Sequence, residues 1–80
     1  EDVMKFIEVI PENNYILRVK TEDANVYLFD VYQEVQRIPS YKCLMDKDFF
    51  EQVKFKGERI YWNMDCDFHI DQVLALSKKI

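Results

Sequence analysis

"MKFIEVIPENNYILRVKTEDANVYLFD", residues 4–30, alternates apolar and polar side chains in three runs separated by the turn-rich "PENN" and "TEDAN". A period of two carried by β-branched and aromatic residues marks half-buried strands. The pattern therefore predicts strands over 4–10, 15–21 and 26–30, joined as an antiparallel meander. Tyr15, Leu17 and Val19 share one face of the second strand. Asn14 and Asn25 are the residues best able to take the left-handed backbone of a tight turn where glycine is missing.

Beyond the meander, Asp30 precedes "VYQEVQ" with Gln33 three positions on, the spacing of a capping box, so one or two helical turns are expected before Pro39 stops them. In "LMDKDFFEQV", Asp46 is a candidate N-cap, with acids in the first turn and Leu44, Phe50 and Val53 at helical intervals; a short helix is expected over about 47–52. "VKFKGERIYW" returns to alternation around Gly57-Glu58, the chemistry of a type II′ hairpin, setting Val53 and Phe55 against Ile60 and Trp62. "IDQVLALSKKI" places Ile70, Val73, Leu74, Ser77 and Ile80 on one helical stripe, with Asp71 in the first turn and Lys78-Lys79 in the last, matching the helix dipole at both ends. The expected fold is α+β: a small antiparallel sheet, a three-stranded meander plus a C-terminal hairpin, with two short helices packed on one face.

Eighty residues are the size of one domain, near the lower limit for a single hydrophobic core. No apolar run reaches the roughly 18 residues that span a bilayer, and Glu1-Asp2 stands where a signal peptide would be basic. The expectation is a cytoplasmic protein without membrane contact, its Cys43 and Cys66 kept as thiols. Net charge is −4, with eight acids against three bases over residues 1–36 and six bases against four acids over 37–59. Overall acidity argues against direct nucleic-acid binding, and an acidic first half suits a basic partner protein.

The stretch "IYWNMDCDFHIDQV", residues 60–73, concentrates residue types that bind metals or move protons. Asp65, Asp67, His69 and Asp71 alternate like the first ligands of a calcium loop, but Ile70 and Leu76 stand where that loop needs a glycine and a glutamate. Cys66 and His69 could begin a zinc site, yet the chain offers only Cys43 besides them as a further soft ligand, short of four. A Cys66–His69 nucleophilic dyad lacks an orienting group, and nearby carboxylates would hold the thiol protonated. Acids gathered ahead of a helix are accounted for by its free N–H groups. In that reading His69 occupies the N-cap, Asp67 steadies the turn and Trp62 belongs to the core. The interleaved basic and aromatic residues of the hairpin are explained by alternation, with Phe55, Ile60 and Trp62 inward and Lys54, Lys56 and Arg59 outward. With one glycine and no phosphate-cradling or nucleophile-elbow motif, neither a cofactor nor a metal nor an enzymatic activity is expected.

Placed in order, these elements resemble, over nearly the whole chain, the small bacterial domains grouped as domain of unknown function 2442. The resemblance rests on "VYLFD" ending in Asp30, on Leu44, Asp46, Phe50 and Val53 in "LMDKDFFEQV", and on Ile60 and Trp62 in "RIYW" followed by Asp67 and a short helix. The chain departs from that pattern at Asp23-Ala24-Asn25, where the family turns on Asp-Gly. It departs again at Asn63, Asp65, His69 and Ile70, where a Pro-x-Gly turn and Ser-Pro are usual. The resemblance implies no enzymatic activity and no catalytic residues. Members are discussed as antitoxin components encoded beside another small protein, and some are fused to a helix-turn-helix domain.

The expected function is thus a non-enzymatic protein-interaction module, the antitoxin-like half of a two-gene bacterial module. Its partner would be the product of the adjacent gene, or a second copy in a homodimer, met through the acidic meander and an open sheet edge. The competing expectation is a small-molecule-binding or sensory domain with a site near Trp62, Asp67 and His69. Asp30, Trp62, Asp67 and His69 are the residues singled out, as a structural or functional junction.

Overall fold

The computed structural model describes residues 5–63 and 66–80. It is an α+β fold built on two antiparallel sheets. The first holds β1 (Phe6–Glu12), β2 (Ile16–Thr21) and β3 (Val26–Asp30) as a meander, joined by β7 (Lys78–Lys79) in the order β1-β2-β3-β7. The second holds β4 (Lys54–Lys56), β5 (Arg59–Tyr61) and β6 (Asp67–His69) in chain order. Between and after them come helices α1 (Val31–Arg37), α2 (Lys47–Phe50) and α3 (Ile70–Leu76), with 3-10 turns at Asn13–Tyr15 and Pro39–Met45.

The meander follows its alternation with one reset. In β2, Leu17, Val19 and Thr21 are fully buried while Arg18 is exposed, as period two requires. Cross-strand rows Pro11–Leu17–Phe29 and Val9–Val19–Tyr27 form the core face. In β1 the register shifts between Phe6 and Glu8, a bulge that takes Ile7 out of the alternation. Both Phe6 and Val9 can then face inward, although they are an odd number of residues apart. Ile7 is left 49% exposed.

Strand β1 begins later and runs further than 4–10 suggests. Met4 lies outside the described residues, and Pro11 and Glu12 extend the strand. Pro11 fits because β1 is an edge. Tyr15 belongs to the turn and not to β2: Asn14 and Tyr15 both take left-handed backbone, at φ 65 and 60. The asparagine is the expected occupant. The tyrosine is held there from outside the turn, its hydroxyl donating to the Met45 carbonyl at 2.6 Å and its ring edge-on to Phe50 at 5.3 Å. In the next turn the left-handed residue is Ala24, φ 70, and not Asn25. Asp23 decides this by accepting from the Thr21 hydroxyl, the Asn25 backbone and the Asn25 amide, which ties both flanks of Ala24.

The caps read from sequence are present. Asp30 Oδ1 accepts from the Gln33 N–H at 3.3 Å, and Asp46 Oδ1 accepts from Asp48 and Phe49 at 3.0 and 3.4 Å. Helix α2 is shorter than 47–52, ending at Phe50. In the hairpin Gly57 has φ 58 and Glu58 no positive φ, as a type II′ turn demands, and Phe55 pairs with Ile60.

Two further sequence expectations are corrected. The connection after Trp62 contains a strand, β6, pairing with β5. The C-terminal helix ends at Leu76, so Lys78-Lys79 are not its last turn. They pair with Leu28 and Tyr27, and the Ile80 N–H donates to the Val26 carbonyl at 2.9 Å. The third strand of the meander has a row of backbone groups to satisfy, and chain turned at an extended Ser77 satisfies them better than another helical turn would. Ser77 and Ile80 therefore leave the helical stripe, while Ile70 and Val73 stay buried on it.

A single core joins both sheets and the helices: Leu17, Val19 and Phe29 from the first sheet, Ile60 and Phe68 from the second, Val31, Val35, Phe50, Ile70 and Val73 from helices, with Leu44 and Trp62 between. Phe68 is its hub, in ring contact with Phe29 at 5.0 Å, Tyr41 at 4.7 Å and Trp62 at 6.0 Å. Among the described residues no helix is long and apolar enough to cross a membrane.

Candidate functional site

The second sheet sorts its side chains into three cross-strand rows. Phe55–Ile60–Phe68 points inward, and Lys54–Tyr61–Asp67 and Lys56–Arg59–His69 point outward. Alternation in "KFKGERIYW" placed the cations outside as expected, but Phe55 is 38% exposed because β4 is the sheet edge and the core does not reach past it. On the outer face Arg59 Nε donates to Asp67 Oδ2 at 2.8 Å, a diagonal pair, and the guanidinium lies 4.9 Å from the centre of the Tyr61 ring. Both partners of the ion pair are well exposed, so it contributes about 0–1 kcal/mol.

His69 caps α3, as its position suggested. Its Nδ1 accepts from the Asp71 N–H at 3.2 Å, and Nε2 stands 3.2 Å from Glu58 Oε1. An accepting Nδ1 puts the proton of the neutral ring on Nε2, which then donates to Glu58. Asp67 does not steady the turn with its carboxylate as anticipated. That group is on Arg59, while its backbone carbonyl accepts from the Tyr41 hydroxyl at 3.2 Å. Burial pushes the Tyr41 phenol up, and the nearby carboxylates of Asp67 and Glu34 add to it. Trp62 is 5% exposed, and its indole N–H donates to the Phe50 carbonyl at 2.9 Å. Asp30 belongs to the other sheet, capping α1.

Of the four singled-out residues, Asp67 and His69 thus share one face, Trp62 supports the core behind it, and Asp30 serves another element. Both ring nitrogens of His69 face acidic residues, and the thiol of Cys66 lies against that of Cys43, so the Cys66–His69 dyad is not assembled. Asp65, part of the calcium-like spacing, lies outside the described residues. Among the described residues no three His, Cys, Asp or Glu side chains are grouped to hold a metal.

Sequence reasoning missed Arg59, Glu58 and Tyr41 as partners. Their roles depend on β6 lying beside β5, and the three-residue run Asp67–His69 is too short for its alternation to stand out. Depressions lie beside the Asn13–Tyr15 turn. One of about 350 Å³ is lined by Glu12, Asn14, Tyr15, Lys47 and Phe50, and another of about 360 Å³ by Tyr15, Ile16, Asp30 and Tyr32.

One further surface is built by the first sheet. Strand β1, seven residues long, forms its edge. The Phe6 N–H is used by the Gly57 carbonyl at 2.9 Å, and among the described residues no strand pairs with the rest of that edge. Ile7 and Ile10 stand exposed along it, with Glu8 and Glu12. Compared with family models, curated proteins and solved structures, the chain matches none of them.

Proposed function

We propose that this chain is a non-enzymatic protein-interaction module that receives an extended segment of a partner along strand β1. It would act as the antitoxin-like component of a two-gene bacterial module of the kind its sequence resembles. The observation that carries the reading is the edge position of β1 together with the exposure of Ile7 and Ile10. A long edge strand bearing apolar side chains is what proteins ordinarily shield with lysine, proline or a covering element, because it invites pairing. On β1 itself Pro11, the bulge at Ile7 and the carboxylates of Glu8 and Glu12 are partial shields, and they leave Ile7 and Ile10 exposed. Strand addition there supplies main-chain hydrogen bonds for affinity and alternate side chains for specificity. The carboxylates of Glu8 and Glu12 favour a partner strand carrying basic residues.

A ligand site near Trp62, Asp67 and His69 has less support, since the indole N–H, the Asp67 carboxylate and the His69 ring are each engaged within the fold. The test is co-purification with the product of the adjacent gene, using wild type and an Ile7→Lys/Ile10→Lys variant. Both substitutions are at exposed positions and should leave the thermal transition within a few degrees of wild type. Capture by wild type and loss in the variant is the expected outcome. Capture undiminished in the variant would remove β1 from the interface, and no capture by wild type would remove the reading.

A further inference from the structure

We propose that Cys43 and Cys66 form a dithiol modification site, closed to an intramolecular disulfide by low-molecular-weight disulfides. Their sulfur atoms lie 3.0 Å apart although the residues are 23 positions apart in the chain. A disulfide spans about 2.0 Å, so closure asks the sulfurs to approach by only about 1 Å. Cys43 sits on the Pro39–Met45 turn and Cys66 on the connection that leads into β6.

Both segments are docked before any covalent bond forms. On one side the Trp62 N–H donates to the Cys66 carbonyl and the Cys66 N–H to Asn63 Oδ1, each at 2.9 Å. On the other, Leu44 is fully buried and the Met45 carbonyl accepts from Tyr15. The Tyr41 hydroxyl, reaching the Asp67 carbonyl at 3.2 Å, already ties the two segments beside the thiols. Such preorganisation raises the effective concentration of one thiol at the other, which is what makes the second step of an exchange fast.

Exposure sets the order of events. Cys43 is exposed, whereas Cys66 is 2% exposed. The Cys43 thiolate attacks one sulfur of the small disulfide RSSR, forming a Cys43–S–S–R bond and expelling RS⁻. The Cys66 thiol gives its proton to solvent and attacks the Cys43 sulfur, forming the Cys43–Cys66 bond and expelling the second RS⁻. Both expelled thiolates take up protons, so two protein thiols and one RSSR become one protein disulfide and two RSH. The product pins the Pro39–Met45 turn to the strand carrying Asp67 and His69. This site stands independently of the β1 interface.

The test incubates the reduced full chain with oxidised glutathione under native conditions and follows intact mass and thiol content. Wild type should lose both thiols and two hydrogens in mass, without retained glutathione, and recover both thiols in dithiothreitol. Cys66→Ser should stop at a glutathionyl adduct on Cys43, and Cys43→Ser should remain unmodified at Cys66. Two thiols surviving in wild type, a lasting glutathionyl adduct on it, or a disulfide-linked dimer would each overturn the proposal. If Cys66→Ser does not fold, Cys43→Ser decides: rapid modification of its Cys66 would overturn the assigned order.

Discussion

Replacing Trp62 by phenylalanine tests whether the residue that drew attention to 60–73 is architecture. The indole N–H is the donor to the Phe50 carbonyl at 2.9 Å, in a place where Trp62 itself is 5% exposed. Phenylalanine removes the donor and leaves that carbonyl buried without it, at about 1–3 kcal/mol. The smaller ring also gives up contact with Phe50, stacked at 6.1 Å, and with Phe68, edge-on at 6.0 Å, or roughly 1 kcal/mol of apolar burial. The two add to roughly 2–4 kcal/mol. For 80 residues the unfolding entropy is about 0.17 kcal/mol/K, from about 2.1 cal/mol/K per residue, so the midpoint should fall by about 12–24 °C. Thermal and urea unfolding followed by far-UV circular dichroism measures this directly, since the variant has no tryptophan to report. In wild type the same burial predicts blue-shifted indole emission that iodide quenches poorly. A loss below about 1 kcal/mol would refute the reasoning, because an indole N–H bonded into a closed core cannot be removed so cheaply.

Three further outcomes follow from the turns and the second sheet edge. The Asp23 carboxyl is held below its usual range first by the Thr21 hydroxyl and then by the Asn25 backbone, so it contributes stability that is present above pH 3.8 and is lost as pH falls through its lower folded value. Asp23→Asn should therefore flatten the loss of urea stability on acidification below that pH, and an unchanged acid limb would contradict the assignment. Ala24→Gly relieves a left-handed alanine at φ 70 and should raise the urea midpoint by the equivalent of about 0.5–1 kcal/mol net of the more flexible unfolded chain; a lowered midpoint would count against the turn as described. Lys78→Pro should remove the ladder bond to Leu28 and lower stability by about 1–2 kcal/mol, whereas a neutral result would leave Lys78-Lys79 without a role in the sheet.

What could be read from the sequence was whatever depends on neighbours along the chain. Alternation located β2 and β3, and the carboxylates of Asp30 and Asp46 announced two helix starts, because an N-cap is decided within four residues. What escaped depends on neighbours in space. Lys78-Lys79 look like the basic end of a helix until β3 is seen to have a side to fill. Tyr15 reads as a strand residue until Met45 and Phe50 are known to hold it in a turn. The Ile7 bulge is a compromise between Phe6 and Val9 that alternation alone would resolve wrongly. The junction was half legible. The capping role of His69 followed from local position, but the commitment of Asp67 to Arg59 needed the pairing of β5 with β6.

Phe68 joins rings contributed by β3, by the Pro39–Met45 turn and by the segment after β5, and its contacts with Phe29 and Tyr41 each span a long stretch of chain. Neither sheet can open without stripping the other of its packing, so the molecule has no stable half. Its amide protons in β2 and β5 should accordingly exchange through one shared global opening and not through two separate ones. A body of this kind is either wholly folded or wholly unfolded, and its β1 edge exists only in the folded state.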